Sequence, residues 1–163
     1  MLFRSVSVTS EPDGEDKILT HAGLEEALRL AGGPPAVRSA LIVRTLPNDG
    51  GKLSRVYDEA DIPPYFTGDA MEWIVNAGFK HLLVDLPSID RLFDRGKLEN
   101  HRIFWNVPTG SREVDRDTRV NSTITELIYV PDEVADGEYL LNLQIAPWDA
   151  DAAPSRPILF PIT

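Results

Sequence analysis

The chain contains no cysteine, so disulfides, thiolate nucleophiles and cysteine-ligated zinc or iron–sulfur sites are all excluded. Positive charge is scarce: 16 Lys and Arg stand against 26 Asp and Glu, a formal charge of −10. That balance repels phosphate backbones, and no stretch gathers Lys and Arg with interleaved aromatics, so a nucleic-acid partner is not expected. No apolar run reaches the length of a membrane span, and the first residues lack a signal-peptide pattern. A soluble, cytoplasmic protein with no membrane partner is the expectation. What is present is ordinary globular usage, 42% apolar and 26% charged. Residues 1–163 suffice for one domain that buries roughly 70% of its unfolded surface.

Two apolar runs anchor the expected architecture. Residues 40–43 (ALIV) and 82–84 (LLV) are short, wholly apolar and followed by polar residues, the pattern of strands buried on both faces of a parallel sheet. Between them a helix is expected over residues 67–77, capped by Thr67, stopped by Gly78, with Met71, Ile74 and Val75 inward. An earlier helix, residues 21 to about 31, follows a Thr20 cap, carries Leu24, Leu28 and Ala31 on one stripe, and ends at GGPP (32–35). Residues 3–9 alternate weakly as a strand, and 11–16 (EPDGED) form a turn. Residues 47–64 are too long and polar for an idle connection and read as a site loop. Ser88 is expected to cap a short helix that stops at Gly96, and residues 105–121 to form a loop. In the last third, 123–130 (TITELIYV) and 139–146 (YLLNLQIA) alternate as strands, joined as a hairpin by 131–137 (PDEVADG). Residues 154–161 (PSRPILFP) suit an edge strand, where proline is tolerated. The fold class is α/β, followed by antiparallel strands.

Glu126 carries the sharpest chemical signal. On a continuous strand Ile124, Glu126, Ile128 and Val130 share one face, and a carboxylate in an apolar row needs a partner, a proton or a metal. Three explanations stay open: a water-facing edge, an ion pair with an arginine such as Arg44, or a cation site. Asp85 ends the run at 82–84 as Arg44 and Thr45 end the run at 40–43, and ligands collect at such strand ends in open α/β sheets. Turn closure and capping explain Asp85 and Ser88 equally well, and compensation of a helix dipole explains Asp90. Among the three histidines, His21 reads as an exposed first-turn residue and His81 as a surface or satisfied strand residue. His101 precedes the apolar Ile103-Phe104-Trp105 and is able to bind a metal or shuttle a proton. No two histidines stand at i, i+4, and Walker, Rossmann and Gly-x-Ser-x-Gly signatures are absent.

ALIVRT (40–45), HLLVDLPSID (81–90), His101, TITELIYVPDEVADGEYLLNLQIAP (123–147) and PSRPILF (154–160) follow one another across most of the chain. As a set they resemble the cyclase family of metal-dependent hydrolases, whose best-known members are bacterial kynurenine formamidases. The resemblance implies a swivelling β/β/α fold, a mixed sheet with antiparallel C-terminal strands. It implies hydrolysis of a small amide at a divalent metal, zinc or manganese, typically N-formylkynurenine to kynurenine and formate in tryptophan catabolism. His101 and Glu126 match metal ligands of the family; Asp85, Ser88 and Asp90 match residues that support that site, with Arg44 as a further pocket candidate. Homo-oligomers are common in the family. Two departures stand out. The interval from His101 to Glu126 is longer than in typical kynurenine formamidases, residues 105–122 supplying the excess. The motif His-x-Gly-Thr-His-x-Asp, which supplies most ligands and leads into the base, is missing, so the chain is expected to be the C-terminal part of a longer enzyme. The alternatives are a non-catalytic binding or oligomerisation domain, or a hydrolase of another small amide or lactone.

Overall fold

The computed structural model describes residues 2–35 and 39–162. In chain order the elements are β1 (Leu2–Thr9), β2 (Glu11–Asp13), β3 (Asp16–Leu19), α1 (His21–Leu30), β4 (Ala40–Leu46), β5 (Tyr65–Phe66), α2 (Gly68–Asn76), β6 (His81–Val84), α3 (Glu99–Trp105), β7 (Thr123–Thr125), β8 (Gly137–Asn142) and β9 (Ile158–Pro161), with a 3-10 helix at Gly50–Ser54. The main sheet runs β7-β6-β4-β1-β8-β9, and β2, β3 and β5 form a smaller one. Strands β1, β4, β6 and β7 are parallel, whereas β8 and β9 are antiparallel additions. The two apolar runs pair side by side, Leu41 with Leu82 and Val43 with Val84.

Strand alternation divides the core into two faces. Val6, Val8, Leu41, Val43, Leu82 and Val84 pack with Leu24 and Leu28 of α1, Met71 and Ile74 of α2, and Phe104 of α3. Phe3, Ala40, Ile42 and Leu83 point the other way and pack with Val130 and Leu141. Each such fully buried large side chain stabilises the fold by about 1.5–3 kcal/mol. Both expected caps form: Thr20 Oγ1 accepts from Gly23 N at 3.1 Å and Thr67 Oγ1 from Ala70 N at 3.4 Å. Among the described residues no helix is long and apolar enough to cross a membrane.

Three expectations are corrected. The strand over 123–130 stops at Thr125, and Leu127 takes φ 55°, a left-handed value that breaks the two-residue alternation. Ile128 N then donates to Val84 O and Leu127 N to Leu86 O, so the chain turns across the end of β6. The hairpin between the last two strand segments does not form, because β6, β4 and β1 lie between β7 and β8. Residues 126–136 instead cross the C-terminal ends of those strands. Arg44 secures the crossing: Nη1 donates to Pro131 O at 2.9 Å and Val134 O at 3.0 Å, Nη2 to Asp136 Oδ1 at 3.1 Å, and Nε to Ser7 Oγ at 2.9 Å. A buried guanidinium needs all of these partners, and a chain passing over it provides them.

The third correction concerns the helix expected from Ser88. Phe93 and Arg95 have φ of 66° and 63°, which a right-handed helix excludes. Asp94 closes the turn by accepting from Gly96 N and Leu98 N, both at 2.7 Å. The helix follows later, as α3, and carries His101.

Candidate functional site

Helix α3 sets His101 against the end of β7. Its Nδ1 donates to Asp90 Oδ2 at 2.6 Å, and its Nε2 lies 3.5 Å from Glu126 Oε1. A carboxylate acceptor assigns the proton to Nδ1, so in the neutral ring the Nε2 lone pair faces the Glu126 carboxyl. Two electron-pair donors at that distance call for a shared proton or a cation. The frame around them is fixed. Asp90 is buried, accepts from Asn100 N at 2.6 Å, and its own N–H donates to Ser88 Oγ at 3.1 Å. Asn100 in turn donates to Phe66 O and Ile89 O. Ile89 N donates to Glu126 Oε1 at 2.9 Å. Burial pushes the Glu126 carboxyl above its ordinary range; the Ile89 N–H and His101 oppose this, and the Asp90 charge adds to it. The ring of Trp105 stands 5.4 Å from that of His101 and is held by an Nε1 bond to Ser122 O.

The remaining expected residues lie elsewhere. Arg44 pairs with Asp136 rather than Glu126. Asp85 accepts from Thr45 N at 2.9 Å and from Lys52 Nζ at 2.7 Å, an ion pair with both side chains buried. Lys52 also donates to Thr45 O, Thr45 Oγ1 and Asn48 Oδ1. The polar stretch 47–64 is thus tied to the sheet through Lys52. His81 bonds Thr123 Oγ1 at 2.9 Å and the His21 ring lies tilted against Trp73, centroids 5.2 Å apart; neither joins the site. Lys52, Asn100 and Trp105 escape the sequence reading; Asn100 follows a charged, polar stretch and gives no signal of its own. A lone lysine in a polar stretch gives no signal for Lys52, and Trp105 would have been found from its i+4 spacing to His101 once a helix was placed there.

A cleft of about 1020 Å³ borders the pair, lined by His101, Glu126, Trp105, Ile42, Tyr129 and Ile158 among others. Imidazole nitrogen and carboxylate oxygen are donors that suit a divalent metal, and the Asp90 bond to the second ring nitrogen is the arrangement that orients a metal-binding histidine. The donor chemistry fits; the donors number two. Among the described residues no group of three or more His, Cys, Asp or Glu side chains is placed to hold a metal ion, whereas a catalytic zinc takes three protein ligands.

Comparison with known proteins is consistent across sequence and fold. The Cyclase family model ("Putative cyclase") matches residues 2–91, a span that includes Asp85, Ser88 and Asp90 but neither His101 nor Glu126. Kynurenine formamidase of Bacillus anthracis is 32% identical over 103 residues, covering 63% of this chain and 42% of its own length. That of Bacillus cereus (strain ATCC 10987 / NRS 248) is 30% identical over 109 residues, covering 66% and 45%. The chain therefore spans less than half the length of these curated relatives. Two solved structures share the fold. One, described as a potential metal-dependent hydrolase with cyclase activity, has a TM-score of 0.61 at 14% identity, covering 97% of this chain and 63% of the other. A second, described as a novel cyclase, has a TM-score of 0.61 at 18% identity, covering 96% and 52%.

Proposed function

The chain belongs to the Cyclase family, and from that premise we propose that it serves the metal-dependent hydrolysis of a small amide, kynurenine formamidase-like, with N-formylkynurenine split into kynurenine and formate. The observation that carries this reading is the approach of His101 Nε2 to Glu126 Oε1 at 3.5 Å, each oriented by a partner of its own.

In this reading His101 and Glu126 would hold a zinc or manganese ion. Such a metal, when bound, supplies a water of lowered pKa and polarises the amide carbonyl. The chain's own residues prepare the place. Asp90 fixes the ring and tautomer of His101, so that Nε2 is the nitrogen presented. Ser88 and Asn100 hold Asp90 in turn. The Ile89 N–H aims one oxygen of Glu126 toward the imidazole. Trp105 stands beside the His101 ring, and Ile42, Ile128 and Ile158 line the cleft next to the pair.

Metal analysis of the purified chain, with N-formylkynurenine as substrate, tests the reading. Zinc or manganese binding that requires both His101 and Glu126 is expected, weaker than at a three-ligand site, with formate release where the remaining ligands are supplied. His101→Ala and Glu126→Gln should each weaken metal binding at least about tenfold, and Asp90→Asn by about 10–100-fold. Absence of any zinc or manganese binding that depends on His101 and Glu126 would overturn the reading in favour of a non-catalytic binding or oligomerisation domain.

A further inference from the structure

Helix α3 carries His101 but is poorly equipped to hold it. It runs only from Glu99 to Trp105, has no side-chain cap at its start, and is bounded by left-handed backbone at Leu98 and Asn106. A helix well under about 12 residues is marginal without help from its surroundings, and its last four carbonyls need partners beyond the helix. Two of the four are met by the residues that follow: Asn106 N donates to Ile103 O at 3.2 Å and Val107 N to Arg102 O at 2.9 Å. The other two both fall to Arg119. Its backbone N–H donates to Trp105 O at 2.9 Å and its Nη1 to Phe104 O. Nη2 of the same side chain donates to Phe79 O, just ahead of β6, and the guanidinium lies 4.7 Å from the centre of the Phe104 ring.

Residues 106–122, the whole connection from α3 to β7, contain no helix or strand, and connections longer than about 12–15 residues without such elements are usually functional. This one folds back on α3. Asn106 Nδ2 donates to Asp117 O, Arg102 Nη1 to Pro108 O and Ser111 O, and Trp105 Nε1 to Ser122 O. Just before Arg119, Asp115 Oδ1 accepts from Asp117 N at 2.9 Å and from Thr118 N and Thr118 Oγ1 at 3.0 Å, closing the turn that presents Arg119. The chain then enters β7 and reaches Glu126.

We propose that Arg119 is a positioning residue for the His101–Glu126 pair: it braces the C-terminal end of α3, while Asp90 fixes the first turn and the imidazole ring. The proposal rests on the metal-hydrolase reading only for the use made of the pair; the placement of His101 is measurable without it. A guanidinium suits the task because its planar fork donates to two carbonyls at once in fixed geometry, and positive charge at a helix C-terminus is favourable. Its side-chain partners are carbonyls and a ring face rather than a carboxylate, so the charge acts on the helix end. His101 lies within one turn of both carbonyls that Arg119 holds. Slack there swings Nε2 relative to Glu126, and a misplacement of about 1 Å at a reacting centre costs about 100-fold in rate.

The test is nuclear magnetic resonance of the imidazole protons in the whole chain, labelled with nitrogen-15 at histidine. A bond of 2.6 Å to the Asp90 carboxylate draws the His101 Nδ1–H signal downfield and slows its exchange. Arg119→Met keeps an apolar stem over Phe104 but removes the donors to Phe104 O and Phe79 O. It should move that signal upfield and broaden it, while the His21 signals, from α1, stay unchanged. Arg119→Lys, whose single ammonium can serve one of the carbonyls, should restore part of the shift. Asp115→Ala, at an exposed position, loosens only the turn that presents Arg119; it should give a smaller shift in the same direction, and it decides the matter if Arg119→Met does not fold. A His101 signal unmoved in the folded variants, or His101 and His21 moving together in all of them, overturns the proposal. Zinc titration of the same samples separates the two readings. Affinity that depends on His101 and Glu126 should fall about tenfold in Arg119→Met, the lower end of what partners behind a metal ligand contribute. The histidine shift with no zinc binding in the parent sustains this proposal and sinks the hydrolase reading; zinc binding with an unmoved His101 signal does the reverse.

Discussion

Replacing Lys52 with methionine should be far more damaging than its place in a polar connection implies. Lys52 and Asp85 form an ion pair whose side chains are 7% and 1% exposed, so solvent does little to screen either group. Methionine keeps most of the lysine stem but removes the ammonium that donates to Asp85, Thr45 and Asn48. Asp85 would then be a buried carboxylate whose remaining partner is the Thr45 N–H. Breaking a buried pair from one side costs about 3–5 kcal/mol, roughly a hundredfold to several thousandfold in the folding equilibrium. For a chain of this size that lowers the melting temperature by about 6–20 °C. Urea unfolding followed by circular dichroism measures it, and amide exchange should quicken across residues 47–64 as the tether is lost. The companion variant Lys52→Met/Asp85→Asn removes the orphaned charge while keeping an acceptor for Thr45 N–H, and should recover most of the loss. A single variant within about 1 kcal/mol of the parent, or a double variant as unstable as the single, would show that orphaned charge is not the cause.

Arg44→Met should destabilise by about 3 kcal/mol, since bonds to a charged group contribute about 1.5–3 kcal/mol; amide exchange in residues 126–136 should rise more than elsewhere. Leu127→Gly should raise stability by up to about 1 kcal/mol, because a left-handed non-glycine residue costs about 1–2 kcal/mol and glycine's extra chain entropy offsets only part; thermal melting checks this, and the exposed leucine side chain gives up little packing. Asp16 supplies a pH test. Hydrogen bonding from Arg91 outweighs burial and holds its carboxyl below the usual 3.8, with Tyr65 assisting. A depressed acid stabilises the fold above its unfolded pKa and loses that contribution as pH falls through the folded value. The stability gap between the parent and Asp16→Asn should therefore be constant near neutrality and narrow below pH 3.8; a gap that widens on acidification would refute the assignment.

The parts of the fold that announce themselves in sequence are those whose burial is uniform. Strands β4 and β6 are covered on both faces and so read as unbroken apolar runs, while α1 and α2 carry threonine caps and glycine stops. Helix α3 has neither: Leu98, just before it, takes a left-handed conformation and gives no side-chain cap, and the first turn is met by Asp90 from another segment. The crossing of residues 126–136 is equally silent, since its left-handed turn falls on a leucine and its anchor, Arg44, is remote in sequence. This bears on the site itself. Glu126 is legible as an acid among apolar neighbours, and His101 as a companion through the family resemblance. Yet strand alternation does not bring them together. The break in the strand does, with Ile89 N–H and Asp90 completing an arrangement that no local pattern encodes.

Strand β1 lies inside the sheet, with Phe3 beside Ala40 on one flank and Tyr139 on the other. During synthesis the first of these neighbours leaves the ribosome early and the second long afterwards. Without residues 137–142, the β1 flank that pairs with β8 would have no strand beside it. A chain cut short before β8 should therefore present that β1 flank as an unpaired strand edge.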